Sequence, residues 1–82
     1  MYAAIINQPG YLPEQEPLTF TLIEDAREYL RDEMARALTD ATEANANVEA
    51  YEREYNAASE NLSRYNGAVF LGYVYEINSV RS

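Results

Sequence analysis

The chain contains no cysteine, no histidine and no lysine. Each absence removes a chemistry. Without Cys there is no disulfide framework, no thiolate metal site and no soft nucleophile. Without His, the side chain that titrates near physiological pH is missing. Without Lys, Schiff-base chemistry and the phosphate-binding lysine of nucleotide loops are excluded. Only carboxylates, Tyr, Ser, Thr and Arg remain, so the expectation is a non-enzymatic protein with no cofactor and no metal.

The carboxylates alone do not reverse this. Pairs of them serve glycoside or metal-assisted hydrolysis. The available sets are Glu24, Glu28 and Asp32, or Glu49 and Glu52. Both sets lie on the polar faces of predicted helices, where a solvated surface is the simpler reading. Glu14 and Glu16 lack the glycine-containing loop of oxygen ligands that a calcium site needs.

Long apolar runs are also missing. No segment approaches the roughly 20 apolar residues of a membrane helix. The N-terminal MYAAIINQPG lacks the basic region of a signal peptide. The expectation is a cytoplasmic protein that makes no membrane contact.

Positive charge is scarce: 6 basic against 14 acidic residues give a net charge of −8. That balance opposes direct contact with nucleic acid, whose phosphates call for Lys and Arg. It favours basic partners, or serves solubility. The basic residues are all Arg, a usage that suggests a GC-rich genome.

The 82 residues make one small acidic domain, residues 1–82. A chain of this size buries only about 60% of its unfolded surface. Such domains often gain stability from a partner or from a second copy.

What is present is a long helical seam. Ala41, Ala44, Val48, Tyr51, Tyr55, Ala58, Leu62 and Tyr65 recur at alternating three- and four-residue steps. That spacing returns one helix face to the same side. Before it, Thr21-Leu22-Ile23-Glu24 matches a capping box, and Asp25 adds charge suited to a first turn. These predict a first helix to about Leu38, with Leu22, Ile23, Ala26, Leu30, Met34, Ala37 and Leu38 on its apolar face. Asp32 with Arg36, Glu24 with Arg27 and Glu28 with Arg31 are its attractive neighbours.

Asp40-Ala41-Thr42-Glu43 reads as a second capping box, so a second helix is predicted from there to Asn66-Gly67. Asn45 and Asn47 are indifferent helix formers that weaken the junction. A helical hairpin is favoured by the local cap and by short helix connections. The alternative is one continuous helix from Leu22 to Tyr65, a rod of roughly 65 Å that requires dimerisation.

Tyr2–Asn7 reads as a short strand. The turn-rich, acidic segment Gln8–Pro17 follows, with Pro9-Gly10 as a turn pair. Leu18–Phe20 fits a very short strand or the lead-in to the helix. Ala68–Ile77 reads as one strand apolar on both sides, with Val69, Leu71, Tyr73, Tyr75 and Ile77 on one face. The expected fold is α+β: a short N-terminal strand, an antiparallel two-helix hairpin, and a C-terminal strand pairing with the first, the helices covering the sheet.

The eight tyrosines suit interfaces, since Tyr buries a large area and keeps a polar tip. Tyr51, Tyr55 and Tyr65 fit the seam, whereas Tyr11 in the proline-flanked segment fits a contact role.

Asn7–Pro17 (NQPGYLPEQEP) and Glu24–Met34 (EDAREYLRDEM) together resemble small uncharacterised proteins of actinobacterial phages. Their pattern is a first strand, an Asn-x-Pro-Gly-Tyr-Leu-Pro-Glu loop and a helix bearing Glu-Ala-Arg-x-Tyr-Leu. Asp25 stands here where Glu is usual. The resemblance implies no activity. It points to accessory phage genes, whose small products often bind host machinery, and hence to the cytoplasm of an infected bacterium.

The reading that follows is a protein-interaction module for a host or phage protein. Its expected contacts are Tyr11, Leu12, Glu14 and Glu16 with Glu28 and Asp32 of the first helix. One alternative is an acidic DNA mimic that inhibits a nucleic-acid-binding defence protein. Glu24, Asp25, Glu28, Asp32, Glu43, Glu49, Glu52, Glu54 and Glu60 would then imitate phosphates. Another is a structural homodimer formed through the helix seam.

Overall fold

The computed structural model of the protein describes residues 1–7, 17–44 and 47–80. Its element order is β1 (Tyr2–Asn7), β2 (Leu18–Phe20), α1 (Ile23–Ala44), α2 (Val48–Tyr65), β3 (Gly67–Phe70) and β4 (Tyr73–Ser79). The four strands form one antiparallel sheet in the order β2-β1-β4-β3. The fold is α+β, with the helical hairpin packed on one side of the sheet. The expected pairing of the first strand with the C-terminal strand is present, Ala4 opposite Ile77 and Ile6 opposite Tyr75.

Helix α1 starts close to the predicted place. The Leu22 carbonyl accepts from the amides of Asp25 and Ala26. The carboxylate of Glu24 is taken up by Arg27. The apolar stripe Ala26, Leu30 and Met34 is fully buried, with Ile23, Ala37 and Leu38 packed beside it. Leu22 is the exception at 61% exposed, because it precedes the first helical turn and lies off the stripe. Of the predicted charge pairs, Glu24 with Arg27 forms. Arg36 turns to Glu33 at 3.2 Å rather than to Asp32.

The helix break differs from expectation. Asp40 lies inside α1, which continues to Ala44. The Thr39 hydroxyl donates to the Ala35 carbonyl and the Thr42 hydroxyl to the Thr39 carbonyl, each at 3.1 Å. Both threonines thus satisfy themselves within the helix, and no capping geometry is needed there. Helix α2 begins after Asn47, whose backbone leaves the helical region at φ −88°, ψ 60°. Asn47 therefore stands at the break, and the continuous rod is replaced by a hairpin.

The seam divides accordingly. Ala41 and Ala44 belong to α1, and the other members to α2. Ala58 and Leu62 are buried, and the Tyr55 ring meets Phe70 edge-on at 5.9 Å. Tyr51 is half-buried, Val48 and Ala44 are exposed, and Tyr65 is 72% exposed. The seam is buried where it lies over the sheet.

Ala68–Ile77 is not one strand. It folds into a two-residue hairpin, Phe70 opposite Tyr73, through Leu71 and Gly72. Both turn residues have positive φ, 50° and 83°, the arrangement of a type I′ turn, whose twist matches that of the strands it joins. Leu is a rare choice at such a position, so the turn carries little sequence signal. The turn also resets the alternation: Val69 faces away from the helices while Tyr75 and Ile77 face them.

Candidate functional site

Among the described residues, helices cover one face of the sheet only. Strand alternation and register assign Ala4, Ile6, Tyr75, Ile77, Ala68 and Phe70 to that face, and most of them are buried. The opposite face carries Ile5, Glu76 and Gly67 in one cross-strand row, and Asn7, Val74 and Val69 in the next.

Among the described residues no strand pairs with the outer side of β3, so the sheet ends there in an open edge. In the two-residue hairpin Phe70 and Tyr73 form the closing pair, so hydrogen-bonded pairs recur at every second residue. The Ile77 amide bonding the Asn66 carbonyl at 2.8 Å fits that alternation. The N–H and C=O of Gly67 and Val69 therefore point away from β4, toward solvent.

That edge carries an apolar groove of about 480 Å³, lined by Asn61, Tyr65, Gly67, Ala68, Val69, Val74 and Glu76. Tyr65 ends α2 and projects outward because its neighbour Asn66 takes a left-handed conformation (φ 57°, ψ 26°) and turns the chain into β3. Val69 is 66% exposed. Two large apolar side chains thus flank an unpaired strand. Among the described residues Glu76 has no ion-pair partner.

The helix surfaces are acidic but mixed. Arg27 pairs with Glu24, Arg36 with Glu33 at 3.2 Å, and Arg64 with Glu60 at 2.8 Å. Arg31 turns across the hairpin and donates to the Ser63 hydroxyl at 2.7 Å. Among the sequence-predicted contacts, Glu28 and Asp32 are exposed on α1. Tyr11, Leu12, Glu14 and Glu16 lie outside the described residues. The β3 edge was not among the predicted contacts. Its signal in the sequence is Gly72, which breaks an otherwise continuous apolar run.

Two phenols have displaced acidities. Burial pushes the Tyr75 hydroxyl above its usual range, with the Glu33 carboxylate second. Burial also raises Tyr29, with Glu33 adding and Arg36 opposing. Both shifts favour the neutral phenol, the opposite of an activated nucleophile. Among the described residues no group of three acidic side chains could hold a metal ion. Among the described residues no helix is long and apolar enough to cross a membrane. No known protein family, curated protein or solved structure matches the chain.

Proposed function

We propose that this is a protein-interaction module, with no catalysis of its own, that docks a host or phage protein. The observation that carries the reading is the β3 edge, where an unpaired strand and the exposed Tyr65 and Val69 share one groove. Exposed strand edges are ready templates for another chain, and proteins without such a role usually blunt them with charge or Pro. The resemblance to actinobacterial phage proteins supports a partner in a bacterial host or in the phage itself. The acidic face around Glu28 and Asp32 adds long-range attraction for a basic partner.

The DNA mimic is less favoured. Arg27, Arg36 and Arg64 each pair with a neighbouring carboxylate, which interrupts the negative surface. The seam homodimer is also less favoured, because Ala58 and Leu62 are consumed inside the fold.

A tagged pull-down from nuclease-treated actinobacterial lysate, across a salt series, tests the reading. The expected result is one stoichiometric protein whose capture weakens only modestly with salt. Steep loss with salt favours the mimic. Capture of nothing, from uninfected and infected lysates alike, contradicts the module.

A further inference from the structure

We infer that the β3 edge takes an extended segment of a partner protein in which an apolar residue and an arginine stand two positions apart, the arginine bridging over Gly67 to Glu76. This rests on the interaction-module reading and names the partner's chemistry.

The sheet is antiparallel throughout, so the added strand is taken as antiparallel to β3. Its residues opposite Gly67 and Val69 complete the outward backbone bonds. Their side chains stand on the helix-free face. The residue between them lies opposite Ala68, on the side of Asn61 and Tyr65.

The two outer positions differ. Opposite Val69, the neighbours on that face are Val69 and, one strand further, Val74, both lining the groove. A β-branched or aliphatic side chain fits there. Opposite Gly67 there is no side chain to meet. Beyond Gly67 in the same row stands Glu76, exposed, with Ile5 on its other side. The missing side chain leaves an open path from the edge to that carboxylate. The incoming residue sits about 10 Å from Glu76, two strand spacings away. An arginine and a glutamate leaning toward each other span that gap, and the arginine stem covers the glycine as it crosses. A carboxylate in that position meets Glu76 with like charge.

A second copy of this chain is the poorer occupant. With β3 paired to its own copy, Gly67 faces Val69, so no cation arrives opposite Glu76.

The test is a titration of ¹⁵N-labelled full-length protein with a blocked seven-residue peptide of Ser and Thr. It carries Val and Arg two apart, the Val nearer its N-terminus. A control peptide carries Glu in place of the Arg. The expected result is shifts of the Gly67 and Val69 amides by the Arg peptide. Affinity should fall about two- to fivefold for Glu76→Gln, the scale of an exposed ion pair, and further for the Glu peptide. Val69→Pro removes one outward N–H without touching the β3–β4 ladder, and binding should be lost while the remaining spectrum persists. Equal binding of the two peptides overturns the arginine assignment but leaves the edge as a docking site. Shifts confined to α1, or no shifts at millimolar peptide, overturn the edge itself. Capture of a stoichiometric lysate protein by the Val69→Pro variant would then show that the module reading survives on another surface.

Discussion

Arg27 on α1 donates from Nη2 to the Asn66 side-chain oxygen at 2.9 Å, joining the start of one helix to the end of the other. Asn66 is the left-handed residue that closes α2, and its amide bonds the Leu62 carbonyl. The same residue accepts from the Ile77 amide at 2.8 Å. One asparagine therefore connects α1, α2 and β4 at the point where the chain enters the β3 edge. Asn is among the few non-glycine residues that adopt this conformation readily.

Arg27→Ala should destabilise the fold by about 1–2 kcal/mol in urea unfolding, the range for a partly buried bond from a charged donor. Asn66→Gly keeps the left-handed backbone and removes the acceptor. A double-mutant cycle of the two should give a coupling of about 0.5–1.5 kcal/mol. Strict additivity would mean that the bond contributes nothing.

Gly67, which opens β3, and Gly72, in the turn after it, should respond differently to the same change. Gly72 has φ +83° with open space around its missing Cβ, so Gly72→Ala costs conformational strain alone, about 1 kcal/mol. Gly67 has an ordinary φ, and an added Cβ meets the Tyr75 carbonyl at 3.7 Å, normal contact. Gly67→Ala should be neutral or stabilising by up to about 1 kcal/mol, chiefly through the unfolded chain. Thermal melts of the pair check both.

Leu30 is fully buried between Ala26 and Met34 on the sheet-facing stripe of α1. Leu30→Ala should cost about 2–5 kcal/mol, a large share of what a domain this small possesses. Leu22→Ala, in the same sequence pattern but 61% exposed, should change stability by less than about 0.5 kcal/mol. Comparing the two by urea midpoint checks where the helix face truly begins.

Alkaline stability follows from Tyr75. Its folded-state acidity is displaced upward, burial first and Glu33 second. The unfolded chain therefore loses the phenolic proton at lower pH than the folded one. Stability is fully present below the unfolded value near 10 and is lost as pH rises through the folded value. Tyr29 acts in the same direction. Urea midpoints from pH 7 to 11 should be flat and then fall, and Tyr75→Phe should make the fall shallower. A midpoint that rises above pH 10 would contradict the sign.

The sequence carries the helices, the first strand and the pairing of the chain ends because each rests on a strong periodic or local signal. The stripe of Ala26, Leu30 and Met34 repeats every four residues, and Asn66-Gly67 stops α2 as its chemistry implies. The break between helices was less legible. Asp40 has the residue types of a cap, but Thr39 and Thr42 find partners inside the helix, so local spacing misled. The β3–β4 turn was hidden for another reason. Leu71 is not a turn former, and only Gly72 marks a bend that tertiary packing imposes on Leu71, itself packed against the core. Missing that bend hid the open edge, because a single strand gives no β3.

The most direct test of the account compares capture by wild-type protein, Val69→Pro, and the double variant Glu28→Gln with Asp32→Asn. Each is used as bait in the same host lysate, after its fold is checked by circular dichroism. The account predicts that Val69→Pro loses the stoichiometric partner while the helix-face variant retains it with reduced salt sensitivity. Retention by Val69→Pro together with loss by the helix-face variant would contradict it and move the docking surface to α1.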